Sequence, residues 1–280
     1  MSVVVVGAVN QDLVAFVARH PAAGETVHGH GFATGDGGKA ANQAVAAARA
    51  CGKDAAPVRL LAAVGDDAYG ERVVAQMARR GVDVRFVKTV AGQVTGTAVI
   101  TVEDDGENRI IIVPGANGQV DAEMVHAAER DGLFRDCNVV LGQLEVNVDA
   151  TLAAMAAGRR AGARTVLNVA PATTASNVDL SNVDLVVVNE GEREMMAEQL
   201  KGKDVLVTLG ARGARFNDDA VVDAVRVETV VDTTGAGDSY LGTLAAHLAG
   251  GADMAQAMQH AAAAAAKIVA QRGAQGEEEE

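Results

Sequence analysis

Asp232-Thr233-Thr234-Gly235-Ala236-Gly237-Asp238 is the stretch on which the fold turns. Residues 225–231, Val-Arg-Val-Glu-Thr-Val-Val, precede it and predict a strand. Residues 240–248, rich in Leu and Ala, follow it and predict a helix. A strand that breaks into a glycine turn and then a helix aims several backbone N–H groups at one point. That point favours an anion, because the first N–H groups of a helix lack partners and its N-terminus is partly positive. An aspartate at the mouth of such a turn would repel a phosphate. It fits if Asp238 takes a proton from a hydroxyl that then attacks the phosphate. A tight turn with an N-capping Asp is the plainer alternative.

Composition narrows the classes. A chain of 280 residues that is 49% hydrophobic accommodates one large α/β domain, with or without a small appendage. With no Trp, two Tyr and five Phe, the core must be mostly Val, Leu and Ala, and the composition argues against an aromatic platform for single-stranded nucleic acid. The net charge of −13 disfavours nucleic acid and anionic membrane as partners. Two cysteines, Cys51 and Cys137, are too few for a disulfide framework or a zinc site. The N-terminus enters Val3-Val4-Val5-Val6 directly, without a signal-peptide pattern, and no apolar run has the length of a membrane span. The expectation is a soluble, cytoplasmic protein with an acidic, disordered tail at 276–280.

Working outward, residues 3–6 and 58–64 read as buried strands, and 40–50 and 69–80 as helices closed by Gly52 and Gly81. Residues 12–35 are rich in glycine and read as an excursion from the main domain. Strands at 97–102 and 109–113 flank a polar hairpin turn, so segments 12–35 and 95–113 are expected to form one small sheet. From Asp121 onward helices and strands alternate, which predicts a parallel sheet covered on both faces. The strands lie at 138–141, 164–168, 184–188 and 204–208, the helices at 121–131, 149–161, 190–199, 236–249 and 253–271.

In open parallel sheets ligands bind beyond the carboxyl ends of the strands. Polar residues cluster there: Asn10 and Asp12, then Gly37, Gly38, Lys39 and Asn42, then Gln143 and Glu145, Asn168, Asn189 with Glu192, and Thr208 with Gly210 and Gly213. Asn10, Asp12, Asn42 and Glu145 suit the hydroxyls of a sugar or polyol. Taken singly, Asp12 also reads as a turn residue and Asn42 as a polar helix face. Glu192 suits Mg²⁺ through water, or is a solvated helix charge beside Glu190, Glu194 and Glu198. His28 and His30 read as surface rather than as metal ligands. No P-loop and no dinucleotide fingerprint occurs: Lys39 is followed by Ala40, and Tyr240 stands where a third glycine would fall.

Together these motifs resemble the ribokinase-like (pfkB-type) carbohydrate kinases over nearly the whole chain. Gly37-Gly38-Lys39-Ala40-Ala41-Asn42-Gln43-Ala44 and the opening stretch carry the resemblance. Asn10-x-Asp12, Pro21-x-x-Gly24-Glu25-Thr26, Gly115-Ala116-Asn117 and Gln143-Leu144-Glu145 add to it. The resemblance implies a three-layer α/β/α domain with a small β-sheet lid, and transfer of the ATP γ-phosphoryl group to a sugar hydroxymethyl. Within the family it runs nearest to members that phosphorylate ribose at its 5-hydroxymethyl. Deoxyribose, another sugar or a nucleoside is the alternative acceptor, and a sugar-binding sensor without turnover is the alternative class.

By the same resemblance Asp238 is the general base and the Gly235-Ala236-Gly237 backbone is the anion hole. Asn10, Asp12, Gly38, Lys39, Asn42 and Glu145 are sugar contacts. Asn189 with Glu192 matches the family's Asn-x-x-Glu, tied to Mg²⁺ and phosphate. Thr208, Gly210 and Gly213 are nucleotide contacts, and Asp232 and Thr234 belong to a K⁺ site that orders the anion hole. A homodimer formed through the lid is also implied. The chain departs from the family pattern at Ala40, usually Gly, at Val169, commonly Pro, and at Tyr240, usually Phe. It departs again after Gly273-Ala274-Gln275, where members often continue with Pro-Ser, and it lacks an evident adenine-side Asn in the last helix.

Overall fold

The computed structural model describes residues 2–52, 56–172, 178–217 and 219–276. Its central sheet is built from β1 (Val3–Val6), β4 (Val58–Gly65), β5 (Val82–Val90), β8 (Val139–Gly142), β9 (Arg164–Asn168), β10 (Leu185–Asn189), β11 (Val205–Thr208), β12 (Ala214–Phe216) and β13 (Ala220–Val222). Their order is β13-β12-β11-β10-β9-β8-β1-β4-β5. All neighbouring pairs from β11 to β5 are parallel, and the β12–β13 hairpin closes one edge antiparallel. The all-apolar runs of β1 and β8 reflect burial on both faces.

Alternate residues of each strand supply two cores. On one face Val3, Val5, Leu60, Leu141 and Val187 pack against helices α1 (Lys39–Cys51), α2 (Ala68–Arg79), α6 (Ala236–Ala249) and α7 (Met254–Val269). On the other face Val4, Val6, Leu61, Val140 and Val186 meet α3 (Ala122–Arg130) and α4 (Val148–Arg160). The short helix α5 (Glu190–Met195) follows β10 directly. With so few aromatics, alanine lets the helices lie close: eight of the thirteen α1 residues are buried, five of them Ala. Tyr240 carries a buried hydroxyl with no hydrogen-bond partner among the described residues.

A second sheet stands beside the first. Its strands β2 (Asn10–Val17), β3 (Gly29–Gly37), β6 (Gly96–Glu103) and β7 (Asn108–Val113) run in the order β3-β2-β6-β7. The outer pairs are antiparallel, whereas β2 and β6 pair in parallel. No helix among the described residues is long and apolar enough to cross a membrane.

The sequence reading needs one main correction. Residues 225–231 form no strand, despite their β-branched content. Val225, Val230 and Val231 are about half exposed, and the Val231 amide bonds the Val269 carbonyl at the end of α7. The sheet edge there is occupied by the β12–β13 hairpin, whose three-residue strands are too short to show an alternation. Propensity for strand is realised only where a partner is available. The acidic tail expected at 276–280 lies outside the described residues beyond Gly276.

Candidate active site

The switch point of the sheet is β1, which has β4 on one side and β8 on the other. The chain leaves β1 through Gly7 and enters β2 at Asn10, so Asn10 lies beyond the carboxyl end of β1, where ligands gather in such folds. The Asn117 amide donates to Asn10 Oδ1 at 2.8 Å and to the Val9 carbonyl at 3.0 Å, and Asn117 Oδ1 accepts from the Val9 amide at 2.9 Å. Asn117 thus fixes the Asn10 side chain. Gly38 N-caps α1, and the next amide, that of Lys39, donates to Glu145 Oε2 at 2.9 Å. Lys39 Nζ lies 3.9 Å from the other Glu145 oxygen.

Asp238 sits in the first turn of α6 and is buried. Both of its carboxylate oxygens accept from α1: Oδ2 from Asn42 Nδ2 at 3.0 Å, and Oδ1 from Gln43 Nε2 at 2.9 Å. A glycine makes this possible. Gly242 lies one turn after Asp238 on the same face of α6. A Cβ there would be 2.2 Å from the Gln43 carbonyl oxygen and 2.9 Å from the Ala47 amide nitrogen. Two helix backbones therefore meet at Gly242 and hold Asp238 against the side chains of Asn42 and Gln43.

The turn before α6 is held from the C-terminal side. Gly235 has a left-handed backbone, φ 75°, and a Cβ on it would be 2.1 Å from the Ala274 carbonyl oxygen. Asp232 accepts from the Thr234 amide at 2.9 Å and from the Gly273 amide at 3.0 Å. Burial alone would raise the Asp232 carboxyl, but these bonds, first those from Thr234, hold it below its ordinary value. The Gly235-Ala236-Gly237 backbone thus opens a 14-residue helix, with the exposed Gly237 facing outward. Ala40, the departure on the sugar side, is buried with its methyl against Gly7.

Electrostatics bind the cluster together. Burial first, then the charges of Glu145, Asp36 and Asp238, push the Asp12 carboxyl from 3.8 up to about 7. Burial also raises Glu145, against the pull of Lys39. For Lys39, burial opposes the charge, and Asp238, Glu145 and Glu192 outweigh it, so the ammonium is held above its ordinary value. Lys39 therefore connects the cluster around Asp238 to Glu192.

The remaining predicted residues line the ends of β10 and β11, where Asn189 pairs in register with Thr208. Asn189 caps α5 by accepting from the Glu192 amide at 2.8 Å, and Glu192 Oε2 accepts from the Asn189 amide at 2.7 Å. That capping box uses one carboxylate oxygen of Glu192. Gly210 opens the short 3₁₀ turn Gly210–Arg212, and Gly213 leads into β12. Several residues that hold the site had motif positions in the sequence but no assigned job: Gln43, Asn117, Gln143 and Gln275. Gln11, Asp36 and Arg72, which tie the second sheet to α2, carried no motif signal.

The raised Asp12 carboxyl makes a stability prediction. Its folded value lies above its unfolded value, so ionisation opposes folding. The stabilising contribution is complete below about pH 3.8 and is lost as pH rises through about 7. Asp12→Asn is expected to stabilise the sugar-free protein at pH 8 by on the order of 1–3 kcal/mol, and by much less at pH 5. Urea unfolding at the two pH values checks this, and an equal effect at both would contradict it.

The family described as pfkB family carbohydrate kinase matches residues 1–280. A ribokinase of Schizosaccharomyces pombe is 36% identical over 98% of this chain and 93% of its own length. A deoxyribokinase of Salmonella typhi is 32% identical over 98% of this chain and 94% of its own. Among solved structures, Arabidopsis thaliana ribokinase complexed with ribose and ATP superposes with a TM-score of 0.85 at 28% identity, covering 97% of this chain and 93% of that one. These matches span every element that builds the cluster around Asp238, from β1 to α6, and the chain belongs to the pfkB family of carbohydrate kinases, phosphotransferases that act on a sugar.

Proposed function

We propose that this enzyme transfers the γ-phosphoryl group of ATP to the 5-hydroxymethyl of ribose, with Asp238 as the general base. The observation that carries the reading is the placement of Asp238. It shares one helix turn with the Gly235–Gly237 amides and one hydrogen-bonded cluster with Asn42. That places a proton acceptor next in sequence to a candidate anion site, the pairing that in-line phosphoryl transfer requires. Asn10, Asp12, Gly38, Lys39, Asn42 and Glu145 hold the sugar hydroxyls, and Thr208, Gly210 and Gly213 hold the nucleotide. Asp238 takes the hydroxymethyl proton as the oxygen attacks. The Gly235–Gly237 amides and the Lys39 ammonium stabilise the charge on the moving phosphoryl group. The four-stranded sheet acts as a lid that excludes water, which limits ATP hydrolysis.

No group of three or more His, Cys, Asp or Glu among the described residues is arranged to hold a metal ion. The buried carboxylate of Glu192 would hold, through water, a Mg²⁺ bound to the ATP phosphates. Mg²⁺ when bound neutralises phosphate charge. Asp232 and Thr234, joined by a hydrogen bond in the turn before α6, are the residues that would hold K⁺. The exposed apolar row Ile110, Ile111, Ile112 and Val113 on β7, with Phe32 on β3, supports a lid covered by a second copy of this chain.

A coupled ATP-consumption assay over ribose, deoxyribose, fructose and nucleosides tests the acceptor. Ribose is expected to give the highest kcat/KM. The 32% identity to a deoxyribokinase makes deoxyribose the second reading, and a higher kcat/KM for it would replace ribose. In the same assay K⁺ is expected to support a higher rate than Na⁺, and Asp232→Ala to erase the difference. Equal rates of the parent enzyme in the two salts would remove the cation site.

A further inference from the structure

Two chains of side-chain amides converge on Asp238, one at each carboxylate oxygen. In the first, Gln143 Nε2 donates to Gln43 Oε1, and Gln43 Nε2 donates to Asp238 Oδ1. In the second, Arg80 donates to Gln275 Oε1, Gln275 Nε2 donates to Asn42 Oδ1 at 3.0 Å, and Asn42 Nδ2 donates to Asp238 Oδ2. Gln275 is buried, and its backbone carbonyl accepts from Arg49 at 2.9 Å.

The second chain has a polarity that its ends impose. A guanidinium can only donate, and an ionised carboxylate can only accept. Between them stand two amides, each with one oxygen and one NH₂ group. Arg80 requires the Gln275 oxygen, which turns the Gln275 NH₂ toward Asn42. That requires the Asn42 oxygen, which turns the Asn42 NH₂ toward Asp238. Each step leaves one orientation, and the steps reinforce one another. Asn42 beside an ionised carboxylate already favours its NH₂ toward Asp238, and the donor from Gln275 on its other end holds it in that orientation.

We propose that Gln275 is a positioning residue: backed by Arg80, it fixes the Asn42 amide so that an N–H, not a carbonyl, faces Asp238. The proposal rests on Asp238 being the base. It ties the C-terminal segment that holds the anion-hole turn to the residue that orients the base, because Gly273 and Ala274 contact Asp232 and Gly235 while Gln275 reaches Asn42. The charged groups facing Asp238 from other elements are Lys39 on α1, Asp12 on β2 and Glu145 after β8. None of them contacts Gln275 through this chain.

Gln275→Glu tests the polarity. The new carboxylate satisfies Arg80 better than the amide did, but it offers Asn42 an acceptor in place of a donor. Asn42 then stands between two carboxylates, and its NH₂ is drawn away from Asp238 toward the new one. The expected result is a melting temperature at or above that of the parent protein, with kcat lowered at least tenfold at pH 7. The acid limb of the kcat profile is expected to move up by about one pH unit. Gln275→Leu, which removes the donor without reversing it, is expected to lower kcat less and to leave the limb in place. A Glu variant with parental kcat across the pH range, or a Leu variant more impaired than the Glu variant, overturns the proposal. Asp238→Asn measured alongside separates the two failures. If that variant is inactive while Gln275→Glu is fully active, the base assignment stands and the positioning role falls.

Discussion

Asp238→Asn is expected to lower kcat by about 100-fold or more, the loss typical of a positioned general base. The substitution keeps the shape of the side chain and the packing of α6 on α1. It removes the group that accepts the hydroxymethyl proton. One of the two amide donors, Asn42 or Gln43, also loses its acceptor, because the new NH₂ group faces one of them. That costs about 1 kcal/mol, so ribose affinity by calorimetry should stay within about tenfold of the parent. A collapse of kcat with binding retained is the signature of a group that acts in the transition state rather than in ground-state binding. Turnover near that of the parent enzyme would remove Asp238 from the chemistry.

The second large effect is expected at a residue with no side chain to touch a reacting atom, one helical turn after Asp238. Gly242→Ala places a methyl 2.2 Å from the Gln43 carbonyl oxygen, 2.7 Å from the Ala46 methyl and 2.9 Å from the Ala47 nitrogen. Two of these three contacts are with backbone, so the helices must separate. Overpacking of this kind costs about 1–3 kcal/mol, partly offset by about 1 kcal/mol of better helix propensity. The protein should therefore remain folded with a modestly lower Tm. Its activity should suffer much more. A shift of about 1 Å between α1 and α6 stretches both amide bonds to Asp238, and misplacement on that scale costs about 100-fold in rate. Parental kcat and Tm in this variant would show that the close helix contact does not position the base.

Much of the fold was legible in the sequence. The all-apolar runs such as 3–6, alternating with alanine-rich helices, specify a covered parallel sheet through their period alone. The polar strand ends, Asn10, Glu145, Asn189 and Thr208, follow from that sheet without further information. The failures have a physical pattern. Residues 225–231 have the composition of a strand, yet strand formation needs an unoccupied neighbour, and the hairpin β12–β13 had taken the edge. The amide chains were invisible for a different reason. Gln43 meets Asp238 across 195 positions and Gln275 meets Asn42 across 233, so no local pattern reports either bond. Gly242 belongs to no motif, and only the packing of α1 against it gives it a task.

The most direct test of the account follows the phosphoryl group itself. The enzyme is incubated with ATP, Mg²⁺, K⁺ and ribose labelled with ¹³C at C5, and ³¹P–¹³C coupling is read by NMR. The expected product carries a phosphorus coupled to C5, formed by the parent enzyme and at least about 100-fold more slowly by Asp238→Asn. A phosphoryl group at another position, or equal rates for the two proteins, would contradict it.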